Sequence, residues 1–209
     1  MAYPPAPWTL VGHAVQILQL VDTRQARSFV PSELKMVSVL PGRTIGGVYL
    51  ASYGPGSALE YNELIVAAAL TRHAGRSGFW ISHIYVDDAD SVAGGREIWG
   101  LPKELAQFTW ERGEQRQVLV RHEDRLLCVL TYGRERLLWR QRLMMPSLSI
   151  RGSDLLFFKG AINTRLGVAR GRLEVPAESP FAFLGLGRAW MTYHYKEMAF
   201  VAGVPQIMG

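Results

Sequence analysis

The sequence contains a single cysteine, Cys128, among its 209 residues. One cysteine cannot form an intramolecular disulfide or supply the thiolate cluster of a structural metal site. The five histidines also lack the HxH or HExxH spacing of metal-binding motifs, so we expect no metal site. Because Cys128 lies in the apolar run LLCVL, we interpret it as a buried, unreactive thiol.

Long apolar runs are also lacking. The longest, such as residues 64–70, are far shorter than the roughly 20 residues of a membrane-spanning helix. The N-terminal stretch MAYPPAPW has neither the basic nor the apolar region of a secretion signal. We therefore expect a soluble, cytoplasmic protein that does not associate with membranes.

Lysine is scarce, since 19 arginines stand against only Lys35, Lys103, Lys159 and Lys196. The net charge of +5 is found in some nucleic-acid-binding proteins. However, the densest basic stretch, YGRERLLWRQRL, alternates as the solvated face of a half-buried strand does. It is not accompanied by a helix-turn-helix, zinc-finger or RNA-recognition motif. We expect no nucleic-acid partner, and interpret this stretch as a solvated or inter-subunit face.

Strand-forming patterns dominate what the sequence does contain. Alternating or β-prone residues predict strands in HAVQILQLVD, TIGGVYLASY, NELIVAAAL and FWISHIYVDD. Further on, FTWER, RQVLVRHED and RLLCVLTYG predict a meander with turns at Gly113, Asp124 and Gly133. Neither a repeat nor a linker divides the chain, so we expect one domain over residues 1–209. The predicted fold class is α+β with predominantly antiparallel β-structure.

One segment, VDDADSVAGGREIWG, departs from the strand pattern. Asp87 or Asp88 is a suitable N-cap for a short helix that runs to about Ile98. Gly100 is a suitable helix stop. Lys103 follows three residues later, so the sequence predicts a lysine held just beyond a helix end.

Lys103 is the candidate reactive group of this segment. A nucleophilic lysine must be uncharged, whereas a solvated lysine is protonated at neutral pH. Desolvation beneath Trp99 and Leu101 would favour the neutral amine, and Pro102 would restrain the backbone. We interpret Arg96 as a residue that orients the lysine loop, through an ion pair or helix-end hydrogen bonds.

The block YVDDADSVAGGREIWGLPKELAQF, residues 85–108, resembles the central motif of the acetoacetate decarboxylase family. In that family a Gly-Arg-Glu segment precedes a Pro-Lys whose lysine forms a Schiff base, which implies this role for Lys103. The upstream GSALEYNELIVAAAL is also similar, and places Glu63 where the family has an acidic active-site residue. The terminal stretches PPAPWTL and GRAWMTYHYKEM extend the resemblance over most of the chain.

The resemblance implies a cone-like β-barrel around the lysine, a homo-oligomer, and a lyase that decarboxylates a β-keto acid or related carbonyl compound without a cofactor. It implies Lys103 as the nucleophile and Glu63 as the acid/base. From the resemblance and the neighbourhood of the lysine we expect a substrate pocket formed by Trp99, Leu101, Tyr85, Arg96 and His13.

Four positions differ from the family pattern. Glu104 stands where a second lysine follows the first, and Leu101 stands where a tyrosine precedes the proline. Val48 and His13 lie near the positions of a second glutamate and of a carboxylate-binding arginine. If Glu104 faced the same way as Lys103, it would favour the protonated amine. The sequence therefore leaves two alternatives to decarboxylation: an imine-dependent aldolase or dehydratase, and an inactive protein that binds a small ligand.

Overall fold

The computed structural model describes residues 3–113, 116–187 and 189–208, and only the backbone of Leu137. The strands within these residues are β1 Trp8–Asp22, β2 Lys35–Met36, β3 Arg43–Tyr53, β4 Tyr61–His73, β5 Arg76–Val86, β6 Lys103–Leu105, β7 Gln107–Glu111, β8 Arg116–His122, β9 Arg125–Tyr132, β10 Arg136–Arg151, β11 Asp154–Ala169, β12 Gly171–Glu174, β13 Met191–Ala202 and β14 Gln206–Ile207. The helices are α1 Thr23–Arg27, α2 Ala89–Trp99 and a 3-10 helix at Ala182–Leu184.

Seven strands close into a barrel in the order β4, β3, β1, β13, β11, β10 and β5, with β5 pairing back onto β4. Neighbouring strands are antiparallel except β10 and β5, which are parallel and pair only through residues 147–148 and 79–80. The short strand β6 then adds to β5 in parallel. The prediction of a mainly antiparallel β-barrel is therefore confirmed.

A second sheet, in the order β12, β9, β8 and β7, contains the meander predicted from the sequence. Its apolar residues, such as Val118 and Leu130, belong to one core cluster with Val15 and Val66 of the barrel strands. A separate cluster includes Leu10 and other residues of the barrel together with residues of α2. The barrel wall thus separates two cores.

Strand alternation explains how one wall serves two cores. In β1, Leu10 and Ala14 belong to the cluster shared with α2, whereas Val15 and Ile17 belong to the cluster shared with the second sheet. Successive side chains of a strand point to opposite faces, so odd and even residues are sorted between the two cores. This sorting determines which residues can reach the candidate site.

Helix α2 has the boundaries that the sequence predicts. The Asp88 side chain accepts a hydrogen bond from the Ser91 backbone N–H, and Gly100 ends the helix in the left-handed conformation at φ 62°. The five-residue helix α1 was not predicted, because it is too short to produce a helical periodicity. None of the helices described here is long and apolar enough to span a bilayer.

Candidate active site

The end of α2 places Lys103 in the barrel. After Gly100, the Leu101 backbone N–H bonds to the Gly95 carbonyl, and Lys103 opens β6 opposite Ile84 of β5. A Cβ on Gly100 would lie 2.4 Å from the Ile150 carbonyl oxygen, so a side chain there would displace the helix end. The glycine helix stop therefore fixes where the lysine begins its strand.

Gly95 of α2 provides room for the lysine stem. A Cβ on Gly95 would lie 2.4 Å from Lys103 Cδ, far inside normal contact distance. Arg96, next in the helix, donates from Nε to the Lys103 backbone carbonyl at 2.8 Å. Arg96 therefore holds the lysine's backbone in place, as the interpretation of a loop-orienting arginine expects.

The amine of Lys103 is paired inside the protein. Its Nζ lies 2.9 Å from Glu63 Oε1 and donates to Ser91 Oγ at 2.9 Å. The two charged side chains are only 3% and 4% exposed. Nζ also lies over the ring of Tyr61, 4.8 Å from its centroid. A buried ion pair of this kind is costly to desolvate and is held by its hydrogen bonds and neighbours.

Two buried tyrosines support the carboxylate. Tyr53 donates its hydroxyl to Glu63 Oε2 at 3.1 Å, and the Tyr49 hydroxyl lies 3.4 Å from that of Tyr53. Burial raises the pKa of Tyr49 and Tyr53 well above the ordinary value, so both hydroxyls stay protonated. Each oxygen of Glu63 thus has a donor within the barrel.

Sequence reasoning missed Ser91 and the tyrosines, although spacing offered a signal. Ser91 is four residues before Gly95, so both lie on the helix face over which the lysine passes. Tyr61 is two residues before Glu63 in β4 and therefore shares its face. The hydrogen bond from Tyr53 depends on the pairing of β3 with β4, which no local pattern specifies.

Lys103 and Glu63 line a cavity with about 890 Å³ of empty space, its opening included. Aromatic residues form much of its wall, namely Trp8, Phe79, Trp99, Phe158 and Phe200. Aliphatic residues, including Leu10, Ile65, Ile84, Leu101 and Ile162, form most of the remainder. The Lys103–Glu63 pair therefore faces a largely apolar space.

The structure brings together only part of the predicted pocket. Trp99 and Leu101 line the cavity with Lys103, whereas Tyr85, His13 and Arg96 are not among the described residues that line it. The Trp99 indole is fixed by a 2.7 Å hydrogen bond to the Gly203 carbonyl.

Tyr85 and His13 face the other side of the barrel wall because of strand alternation. Tyr85 follows Ile84, a cavity residue, and its ring lies 5.6 Å from that of His122. Burial raises the pKa of Tyr85 to about 12. His13 lies on the odd-numbered face of β1, 5.0 Å from the ring of Trp110, and burial lowers its pKa. The expectation that these two residues contact a ligand in the cavity is corrected.

Glu104 also faces away from the cavity. It pairs with Tyr85 in the β5–β6 ladder, while Lys103 pairs with Ile84. Its Oε2 lies 3.6 Å from His122 Nε2, and its side chain is 46% exposed. Glu104 would favour the protonated amine only if it faced the same way as Lys103. The two side chains face opposite ways, so this condition is not met.

The sequence and the fold of the chain are similar to those of known proteins. The chain is 36% identical over 109 residues to Protein NEOXANTHIN-DEFICIENT 1 of Solanum lycopersicum, covering 52% of this chain and 37% of that protein. It is 30% identical over 134 residues to an acetoacetate decarboxylase of Ralstonia nicotianae, covering 63% and 48%. It therefore spans about half or less of the length of these relatives.

Among solved structures, acetoacetate decarboxylase from Legionella pneumophila superposes with a TM-score of 0.76 at 15% identity, covering 100% of this chain and 90% of that one. This similarity shows a common fold. Residues 1–159 match the sequence profile of the family described as Acetoacetate decarboxylase. On that match, the chain belongs to the acetoacetate decarboxylase family.

Proposed function

We propose that Lys103 forms a Schiff base with a carbonyl compound bound in the cavity, and that the protein is an imine-forming carbon–carbon lyase. The observation that carries this proposal is the buried contact of Lys103 Nζ with Glu63 Oε1 at 2.9 Å, facing the cavity. An amine that reacts with a carbonyl carbon needs a neighbouring base, and Glu63 is within hydrogen-bond reach.

Glu63 is the proposed proton carrier. Transfer of one proton from Nζ to Oε1 leaves a neutral amine beside a neutral carboxyl, and an apolar cavity accommodates two neutral groups at less cost than two charges. The Tyr53 hydroxyl, 3.1 Å from the other oxygen, keeps the carboxyl oriented during this transfer. Ser91 holds Nζ at 2.9 Å on the helix side.

The reaction then follows from the imine. The amine attacks the carbonyl carbon, and the carbinolamine loses water when Glu63 returns its proton to the departing hydroxyl. The protonated imine withdraws electrons from the adjacent α-carbon, so one bond of that carbon can break and leave an enamine. The broken bond joins the α-carbon to a carboxylate in decarboxylation, to a carbinol carbon in retro-aldol cleavage, or to a hydrogen in deprotonation. Protonation of the enamine and hydrolysis release the product and restore Lys103. Loss of carbon dioxide from a β-keto acid is the family's version of this step.

Borohydride trapping tests the proposal, because reduction converts a transient imine into a stable secondary amine. We expect carbonyl-dependent mass addition on the Lys103 peptide of the wild-type protein. Lys103→Met should reduce this carbonyl-dependent mass addition by at least about 1,000-fold. Lys196→Met is the matched control, since Lys196 also contacts a carboxylate, that of Glu135, but does not line the cavity. An adduct that persists in Lys103→Met, or none with any carbonyl compound, would refute imine chemistry at this lysine.

A second candidate is a protein that binds a carbonyl ligand without reacting. It is favoured by the contacts of Lys103 Nζ, which already pairs with the Glu63 carboxylate and donates a hydrogen bond to the Ser91 hydroxyl. In that case, ligands would protect the protein from thermal unfolding equally in the wild type and in Lys103→Met, and borohydride would leave no adduct.

A further inference from the structure

The cavity wall contains very little charge. Among the described residues that line it, Lys103 is the only basic residue and Glu63 the only carboxylic acid, and they are paired with each other. A carboxylate on a bound ligand would therefore be repelled by the Glu63 carboxylate. It would also have to compete with Glu63 for Lys103, the basic residue of the described lining. Burying an unpaired carboxylate in apolar surroundings is strongly unfavourable.

Three basic residues that are near cavity residues in the sequence do not line the cavity themselves. The Arg96 guanidinium bonds to the Lys103 backbone carbonyl. The Arg76 guanidinium donates to Gln206 at 2.6 Å and lies over the ring of Phe157. Lys159 is exposed and lies between two cavity residues of β11, so strand alternation points it away from the cavity. None of these three groups replaces the missing carboxylate partner.

The described residues of β1 that line the cavity all have neutral side chains, namely Trp8, Leu10, Gln16 and Leu18. Gln16 lines the cavity, and its amide oxygen accepts a hydrogen bond from the Tyr195 hydroxyl. Ser147 is a second neutral polar residue of the lining. The remaining wall is mainly aromatic and aliphatic, which suits a hydrocarbon chain rather than an ionic group.

We propose that the cavity selects an uncharged ketone or aldehyde that carries an apolar chain, and discriminates against keto acids. This inference rests on the proposed imine chemistry of Lys103 and specifies its substrate class. A neutral carbonyl group meets the Lys103 amine, while its chain lies against the aromatic wall formed by Phe79, Phe158 and Phe200.

A simple ketone offers the proposed carbon–carbon lyase no C–C bond to break, so after imine formation only its α-C–H bond breaks, and exchange of that hydrogen reports the enamine step. The Glu63 carboxylate removes a proton from the α-carbon of the protonated imine, and the C–H electron pair becomes the C=C bond of a neutral enamine. The reverse step returns a proton from the Glu63 carboxyl to that carbon. In deuterium oxide the α-hydrogen is therefore replaced by deuterium without any other change in the ketone.

A matched ligand set tests this substrate class: octyl methyl ketone, the β-keto acid with the same octyl chain, and the methyl ester of that acid. The acid and the ester have the same carbonyl group and chain and differ in charge. We expect borohydride adducts on Lys103 with the ketone and the ester at concentrations about 100-fold lower than with the acid. Deuterium exchange at the α-carbon of the ketone should require Lys103.

The possible results separate the two proposals. Trapping of the acid at the same or a lower concentration than the ester would overturn the substrate class and leave imine formation intact. Absence of any adduct with all three compounds would overturn both proposals.

A gain-of-charge variant provides a second measurement. Leu18 is a half-buried cavity residue of β1, so Leu18→Arg adds a cation to the wall. It should reduce the preference for ester over acid by about 10-fold. Leu20→Arg is the control, because Leu20 is half-buried in the same strand but does not line the cavity. An unchanged preference in folded Leu18→Arg would contradict the charge-based selection.

Discussion

Two largely buried carboxylates in this protein are each paired with a lysine, yet their surroundings differ. Glu63 contacts one cation, Lys103, and faces a cavity. Glu135 contacts Lys196, His194 Nδ1 at 3.2 Å and Arg116 Nη1 at 3.3 Å, and does not line that cavity. The first carboxylate has one basic partner and a tyrosine hydroxyl, whereas the second has three basic partners.

The number of partners separates a carboxylate that can exchange a proton from one that is a fixed anion. Burial acts to raise the pKa of Glu135, but hydrogen bonds from Lys196 and His194 outweigh it and lower this pKa to about 2. Glu135 thus joins β13 to the residues before β10 as a permanent negative charge. Glu63 faces one amine, and in the proposed mechanism the transfer of one proton leaves neither group charged.

Replacement of each carboxylate by its amide should have the largest contrasting effects. Glu63→Gln removes the base beside Lys103, and we expect imine trapping to slow by about 100-fold. Glu135→Gln should leave trapping within about 2-fold, and lower the free energy of unfolding by about 2 kcal/mol because its cations lose their partner. Trapping rates and denaturant unfolding of both variants measure the two effects.

Both proteins must fold for this contrast to be informative, which circular dichroism checks. Equal loss of trapping in Glu63→Gln and Glu135→Gln would show that the two carboxylates do not have separate roles.

Each carboxylate site also depends on a glycine, which gives a smaller contrast. A Cβ on Gly95 would meet the flexible stem of Lys103 at 2.4 Å, while a Cβ on Gly167 would meet Glu135 Cβ at 2.8 Å. Gly95→Ala should displace the amine and reduce trapping by about 10-fold. Gly167→Ala should instead lower thermal stability with trapping retained, because Glu135 Cβ cannot move without its backbone.

Trapping rate and thermal stability are both measured for Gly95→Ala and for Gly167→Ala. If Gly95→Ala traps carbonyl compounds as fast as the wild type, the close contact between α2 and the lysine stem does not position the amine.

The smallest effect is expected at acid pH. The pKa of Glu135 in the folded protein, about 2, lies below its ordinary value of 4.5. Its ionised form therefore contributes stability above about pH 4.5, and this contribution is lost as the pH falls from about 4.5 towards 2. Burial also lowers the pKa of His194, whose Nδ1–H donates to the Glu135 carboxylate.

Comparison of wild type and Glu135→Gln isolates this contribution. The difference in their free energies of unfolding should shrink as the pH is lowered through that window, as measured by urea denaturation. A difference that stays constant from neutral pH to pH 2 would contradict a depressed pKa of Glu135.

Local patterns were sufficient to predict the main elements around the lysine. Strand alternation in the segment of β1, and the Asp88 and Gly100 caps of α2, correspond to the observed elements because caps and periodicity are set by residues close in sequence. The family resemblance supplied both members of the buried pair, Lys103 from the Gly-Arg-Glu to Pro-Lys block and Glu63 from the upstream GSALEYNELIVAAAL stretch, and these lie 2.9 Å apart.

The walls of the cavity could not be predicted in the same way. Tyr85 and His13 were placed by proximity in sequence and by resemblance, but the side of the strand on which a residue lies depends on pairing over long distances. Ser91 and Tyr53 reach the Lys103–Glu63 pair from α2 and β3, two elements whose relative position is decided by the closed barrel.

The pairing of β6 with β5 decides which charge Glu63 meets. This strand is only three residues long, and Lys103 and Glu104 are adjacent within it but lie on opposite faces. A slip of one residue would present a second carboxylate to Glu63 and leave the amine outside the barrel. The number of residues between Gly100 and Lys103 is therefore as constrained as their identity, because deletion of one residue there would bring Glu104 to the position of Lys103 and exchange an attractive pair for a repulsive one.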